Sequence, residues 1–280
     1  MSALDPVLHL LRCPLCEEVL SRVGGAVRCP AGHSFDIARQ GYVSLLTGAK
    51  AISGDDPPMV RARQRFLEAG GYAPIRDAIV EPAASSARPG STVLEVGCGT
   101  GYYLAGVLDR LEDAHGLGLD SSARALAIAA RSHDRAAAAA WDVFRPFPLA
   151  SGSVDLVLDA FSPRNPAEFH RVLKPDGALI VTRPTSGHLA QLLDRPEWKV
   201  GIDPLKEQRL DQALDPLFEP LRTERTDYVL PLSPQAALDL ASMTPAARHL
   251  DLDEPAENAD APLPGEVDVS VLTTVYRRRG

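Results

Sequence analysis

The run Val93 to Tyr103, V-L-E-V-G-C-G-T-G-Y-Y, restricts the fold more than any other stretch of this chain. Thr92, Val93, Leu94 and Val96 are β-branched or aliphatic and read as a buried strand. The strand stops at Gly97, Gly99 and Gly101, and a helix-compatible segment follows from Tyr102 to Leu111. Strand, glycine turn and helix together let an open α/β sheet bring its backbone against a nucleotide-like ligand at the carboxyl edge of a strand. Dinucleotide sites space their glycines G-x-G-x-x-G and seat a pyrophosphate at the helix N-terminus. Here the spacing is G-x-G-x-G, and Glu95 stands two residues before the first glycine. A carboxylate there repels a pyrophosphate and attracts a cation. A tight turn that binds nothing is the alternative, and the acidic residue argues against it.

The segments downstream continue the alternation of strand and helix. His115 to Leu119 reads as a second strand ending at Asp120, 19 residues past Gly101. Rossmann-type domains place there the carboxylate that takes ribose hydroxyls. Ser121 is the expected cap of an alanine-rich helix from Ala123 to Arg131. Ala136 to Trp141 is helical by propensity, but its place between elements favours a third strand, with Asp142 flanking an adenine. Val154 to Leu158 is a fourth strand, followed by a loop from Asp159 to Asn165 and a short helix from Pro166 to Leu173. Ala178 to Thr182 is a fifth strand. Ser186 to Leu193 and Gln235 to Met243 read as helices, and Asp227 to Leu232 and Val267 to Tyr276 as late strands. Residues 251 to 266, acidic and Pro-rich, read as a flexible loop.

E-x-G-C-G-T-G is similar to motif I of class I methyltransferases, whose cofactor, S-adenosylmethionine, carries a sulfonium and an ammonium. F-H-R-V-L-K-P-D-G-A-L-I resembles a block common to the same proteins. The expected fold is therefore α/β: a Rossmann-like class I methyltransferase domain with a seven-stranded mixed sheet over residues 76–280, its last strand antiparallel.

A second motif precedes this domain. C-P-L-C is followed by twelve residues and then C-P-A-G-H, offering Cys13, Cys16, Cys29 and His33. Two pairs with these spacings close a tetrahedron around zinc, and four protein ligands indicate a structural site. Val23 to Val27 reads as a hairpin between the pairs. Three clustered cysteines suit a metal in a reducing compartment better than disulfides. Residues 1–46 are thus a small N-terminal zinc-binding module, and 47–75 a linker and basic helix. Thr47 to Pro58 reads as a mobile linker; Met59 to Ala69 is helical, carries Arg61, Arg63 and Arg65, and stops at Gly70-Gly71. Arg76 to Ala84 starts the next helix.

A net charge of −8 argues against a uniformly basic nucleic-acid binder, but leaves room for a local patch at Arg61, Arg63, Arg65 and Arg76. No apolar run reaches the roughly 18 residues needed to span a bilayer, so no membrane partner is expected. The first residues lack the basic start and apolar core of a signal peptide, and a cytoplasmic location is expected.

Together the two modules resemble the 23S rRNA guanine-N1 methyltransferases. The matching words are C-P-L-C…C-P-A-G-H-S-F-D-I-A-R-Q-G-Y-V-S-L-L, M-V-R-A-R-Q-R-F-L-E-A-G-G-Y-A-P-I, V-L-E-V-G-C-G-T-G-Y-Y, S-P-R-N-P-A-E-F-H-R-V-L-K-P-D-G and T-S-G-H-L. P-R-N-P looks like the branch whose hairpin methylation contributes to resistance against tylosin-type macrolides. The resemblance implies zinc on the four residues above, S-adenosylmethionine held by Tyr72, Tyr103, Leu104 and His188, and 23S rRNA as partner. The residues themselves add Glu95, Gly97, Gly99, Gly101, Asp120 and Asp142 to the cofactor set. Guanine N1 carries a proton at neutral pH. Asp159 is the candidate base, with a hydrogen-bonded loop carboxylate as the alternative, and Arg164 or Asn165 would orient the guanine. Phe161 and Trp141 are candidate stacking partners or core. A small-molecule methyltransferase and a non-catalytic zinc-bearing assembly factor remain alternatives, and a homodimer stays open.

Overall fold

A computed structural model describes residues 2–47, 55–193, 212–244 and 263–280. A 3-10 helix (Asp5–Leu10) leads into three short antiparallel strands, β1 (Ser21–Val23), β2 (Ala26–Arg28) and β3 (Ser34–Asp36). Gly24, at φ +61, makes the turn of the expected hairpin. β4 (Val43–Ser44) leaves this small sheet and joins the large one.

The helices α1 (Pro57–Glu68) and α2 (Ala73–Ser86) follow. Asp56 caps α1 by accepting from Met59 N at 2.9 Å, so the last two residues of the expected linker are helical; 48–54 lie outside the described residues. α2 begins three residues before the expected Arg76. The central strands are β5 (Thr92–Val96), β6 (His115–Asp120), β7 (Ala136–Ala140), β8 (Val154–Ala160) and β9 (Leu173–Pro184), with α3 (Tyr102–Arg110), α4 (Ala123–Ala129) and α5 (Pro166–Val172) between them. After α6 (Ala190–Leu193) come β10 (Phe218–Pro231), α7 (Pro234–Ser242) and β11 (Glu266–Arg278). β11 runs antiparallel to both β9 and β10, as expected of a late hairpin strand. The acidic stretch lies mostly outside the described residues, and its last residue, Glu266, opens β11.

Among the described residues the main sheet has eight strands, in the order β10-β11-β9-β8-β5-β6-β7-β4. Seven were expected. The eighth is β4, a piece of the zinc module that pairs parallel to β7 through Val43–Ala139 and Ser44–Ala140. It covers part of an edge whose backbone groups would otherwise be open to pairing with another chain.

β7 is five buried alanines, a strand despite their helical propensity. Small residues here and in β6 let α3 lie close to the sheet. A Cβ at Gly116 would stand 2.8 Å from Leu104 Cδ1 and 2.9 Å from Leu108 Cδ1. Tertiary packing overrides propensity.

The zinc module does not sit apart from the sheet. Leu4, Val7, Leu10, Leu11, Val27 and Phe35 share one continuous core with Leu94, Leu117, Leu119, Trp141, Leu149 and Phe169. Backbone bonds stitch the seam, Arg12 N to Pro148 O and Ala150 N to Leu10 O, both 2.9 Å. Residue 46 thus marks a change of motif and no break in packing. None of the described helices is long and apolar enough to cross a membrane.

Candidate functional site

Two knuckles bring the four metal-binding side chains together. Cys13 and Cys16 sit in the turn before β1, and Cys29 and His33 in the turn between β2 and β3. All ligand atoms lie within 4.8 Å of one another. His33 Nδ1 is 3.4, 3.4 and 3.3 Å from the sulfurs of Cys13, Cys16 and Cys29, and Cys16 Sγ is 3.6 Å from Cys29 Sγ. A tetrahedral zinc with bonds of about 2.3 Å to sulfur and 2.0 Å to nitrogen has ligand–ligand edges of about 3.5–3.8 Å. The set fits zinc, with Nδ1 as the histidine donor, and closes it on four sides.

The second site is the carboxyl edge of β5, β6, β7 and β8. Gly97, Gly99 and Gly101 take φ of +66, +52 and +78, and the turn delivers the chain into α3. Two carboxylates brace it. Glu95 Oε2 accepts from Leu104 N at 3.1 Å, and Asp120 Oδ2 from Gly99 N at 2.9 Å. Asp120 Oδ1 takes Ser122 N, so Ser122 and not Ser121 caps α4, through Ala125 N. Asp142 Oδ1 accepts from Phe144 N and orders the turn after β7. Cys98, the cysteine outside the metal set, is buried in the loop with its thiol pKa pushed well up, and it offers no thiolate.

Glu95 is 1% exposed. Burial lifts its pKa from 4.5 to about 8; the Leu104 amide opposes the rise, and the charges of Asp120 and Asp159 add to it. The folded protein therefore holds more protons than the unfolded chain between about pH 4.5 and 8, and its stability falls as pH rises through that window. Asp120 and Asp159, also raised, act in the same sense. A cationic ligand reverses the bias by favouring the carboxylate. We expect Glu95→Gln to make the stability–pH curve of the cofactor-free protein shallower between about pH 5 and 8. Parallel curves for variant and wild type in a thermal-unfolding series would contradict this.

Beside the turn, side chains distant in sequence form an aromatic cluster. Phe161 lies 6.0 Å from Tyr72, 6.3 Å from Tyr103 and 5.9 Å from His188 between ring centroids. His188 Nδ1 accepts from Ser270 N at 3.2 Å, and burial lowers its pKa to about 4. The ring is thus neutral, with its proton on Nε2, 3.5 Å from Tyr72 Oη. Phe161 is 37% exposed and holds φ +58, a strained value for an aromatic residue. Trp141 is 3% exposed, lies beneath the Arg145 guanidinium at 4.9 Å, and belongs to the core.

Asp159 lies inside β8 and not in the loop expected from sequence, because the strand continues to Ala160. It is 1% exposed, and neither of its oxygens makes a hydrogen bond of ordinary geometry, although the Ser162 backbone amide lies close enough to favour the charged form. Burial raises its pKa to about 7 against the pull of Arg164. The Asn165 amide donates to Val143 O at 3.2 Å, tying the loop after β8 to the one after β7.

The expected basic patch is divided by the fold. Arg61 is exposed, but Arg65 forms a two-point ion pair with Asp239 on α7, and Arg63 pairs with Asp55 at 2.7 Å. Arg76 pairs with its neighbour Asp77 and lies over the Tyr102 ring. Sequence reasoning also missed Ser162, which packs where Gly97 lacks a Cβ. Nothing in the linear order marks that contact.

A glycine turn braced by Glu95, an acid ending β6 and an antiparallel late strand define a class I methyltransferase fold, here carrying a zinc ribbon. Residues 11–50 match the family model described as "RlmA, N-terminal", a zinc ribbon, and 93–177 match "Methyltransferase domain". The chain is 42% identical over 275 residues to a Streptomyces fradiae protein named "23S rRNA (guanine(748)-N(1))-methyltransferase", covering 97% of this chain and 98% of that one. A Micromonospora griseorubida relative, named provisionally for guanine-N1 methylation of 23S rRNA, is 44% identical over 263 residues, 88% of this chain and 89% of its own. The crystal structure of the YcgJ protein from Bacillus subtilis shares the fold, with TM-score 0.50 and 12% identity over 73% of this chain and 99% of that one. The chain belongs to the 23S rRNA (guanine-N1)-methyltransferase family.

Proposed function

We propose that this protein transfers the methyl group of S-adenosylmethionine to N1 of a guanine in a 23S rRNA hairpin. The likeness to the Streptomyces fradiae enzyme, nearly end to end, carries the reading. The bound cofactor supplies an already activated methyl group, so positioning of the two reactants provides much of the acceleration. Asp120 offers its carboxylate to the ribose, Asp142 and its turn flank the adenine, and Glu95 offsets the cofactor's positive charge. Gly97, Gly99 and Gly101 let backbone approach, while Tyr72, Tyr103, Leu104 and His188 wall the methionine end.

The target guanine must leave its stack to reach this cleft, and exposed Phe161 stands where a base could stack. Asp159 takes the N1 proton, since its pKa of about 7 suits a base at neutral pH. Its oxygens are closed to solvent here, so binding of the base must open them. Arg164 would oppose the charge developing at guanine O6, and Asn165 holds the loop that presents it. Zinc takes no part in the transfer; its four protein ligands leave no open position.

The decisive experiment incubates labelled cofactor with 23S rRNA from a strain lacking this protein and maps the product. Label at N1 of one hairpin guanine is expected. Label appearing only in RNA-free extract would replace the RNA with a small molecule. The modification is further proposed to contribute to tylosin resistance, so deleting the gene should lower the inhibitory concentration of tylosin.

Of the α1 arginines, Arg61 is the clean probe of RNA contact. Arg61→Glu is expected to weaken rRNA binding and reduce the dependence of log K on log salt by about one phosphate's worth, with cofactor affinity intact. Filter binding over a salt series checks it; an unchanged slope removes Arg61 from the interface.

A further inference from the structure

Arg63 is not a free surface arginine. Its side chain lies against the cofactor turn, with Cδ 3.7 Å from the position a Cβ at Gly99 would take. Nε donates to Asp55 Oδ2 at 2.9 Å and Nη2 to Met243 O at 3.4 Å, which fixes the guanidinium from two directions. The backbone of Asp55 is itself anchored, its carbonyl accepting from Ser122 Oγ at 2.9 Å beside Asp120. The Arg63 charge acts on Tyr72, Tyr103 and Asp120 together, opposing in each the rise that burial causes. Arg164 acts instead on Asp159.

We infer that Arg63 binds the methionine carboxylate of S-adenosylmethionine. The inference rests on the cofactor assignment above and adds the one recognition element that assignment leaves open. The cofactor carries an ammonium, a sulfonium and a carboxylate. Binding of the two cationic groups favours the ionised forms of Glu95, Asp120 and Asp159, and the resulting carboxylates suit those groups and repel the third. A carboxylate therefore needs a compensating cation close to the glycine turn. Arg63 stands there, with Nε and Nη2 held by Asp55 and Met243 O, and Nη1 is left to donate to a ligand carboxylate. Its side chain is 25% exposed, so it is not sealed from a ligand.

The test is calorimetry on the full chain with S-adenosylmethionine and with its decarboxylated form, which keeps the sulfonium and ammonium and lacks only the carboxylate. Arg63→Ala is expected to weaken S-adenosylmethionine by about 10- to 100-fold, the worth of a charge-assisted hydrogen bond. Affinity for the decarboxylated ligand should stay within about threefold, well below that expected loss. Arg63→Lys should fall between, since it keeps the charge and loses the guanidinium geometry that Asp55 and Met243 hold. Equal losses for both ligands would mean a merely structural Arg63 and overturn the inference, as would no loss for either. If the alanine variant does not fold, Arg63→Lys carries the same comparison, and a loss confined to S-adenosylmethionine or shared by both ligands decides in the same way. A wild-type protein that fails to bind S-adenosylmethionine would instead remove the cofactor assignment, a failure distinct from a wild type that binds it without help from Arg63.

Discussion

Replacing Cys29 with serine is expected to destabilise the whole chain and not only the ribbon that contains it. Zinc-finger peptides derive about 10–16 kcal/mol of apparent free energy from their metal and are unfolded without it. The strands of this ribbon are three residues long each and bury little among themselves, so losing one ligand should release the metal and melt them. The consequence then spreads through the shared core. Leu4, Val7, Leu10 and Leu11 would lose their fixed positions against Leu94, Leu117 and Leu149, and β4 would leave the edge of β7. If that costs several kcal/mol, the melting temperature of a chain this size falls by roughly 10 °C or more. Metal analysis and scanning calorimetry check it, with Cys98→Ser as the control that should keep full zinc content. A main transition unmoved by zinc loss would show the ribbon to be separable.

The second large effect is expected at the glycine turn. Gly101→Ala would put a Cβ 2.7 Å from Ser132 Oγ, 3.1 Å from Ala129 Cα and 3.2 Å from Ala129 Cβ, at φ +78. The left-handed backbone alone costs about 1–2 kcal/mol for a residue with a Cβ. Ala129 is the last residue of α4 and cannot rotate away, so either the turn or the helix must shift. Gly97→Ala meets a different obstacle, the hydroxyl of Ser162 and, at 2.7 Å, its Cβ, which is side chain only. Both variants should lose cofactor affinity by about 100-fold or more, roughly 2.7 kcal/mol. Adding Ser162→Gly should restore part of the loss at Gly97, whereas Ser132→Gly should do little at Gly101. Titration calorimetry decides, and equal rescue at both positions would refute the distinction between side-chain and backbone obstacles.

Much of the site was legible in the linear order because its signals are local. The two cysteine knuckles each lie within a few residues, as do Glu95 and the three glycines, and Asp120 follows at the distance one helix and one strand require. These features need only the spacing of neighbours along the chain. The alanine strand was legible only from its place between elements, since its composition points to a helix. Its neighbours in the sheet supply the reason for the difference.

What the sequence by itself determined is the inventory: a four-ligand zinc module, a glycine turn preceded by an acid, and an alternating α/β chain that ends in an antiparallel strand. Only the tertiary structure decided how these parts share space. It joined β4 to the main sheet, buried Asp159 within a strand, and gathered Tyr72, Tyr103, Phe161 and His188 into one cluster. It also gave three similar arginines on one helix three separate environments. The physical reason is common to all of these outcomes. Which side chains meet across the sheet is set by burial and register among elements far apart in the chain, and a charge such as Arg63 acquires its role from the groups packed around it.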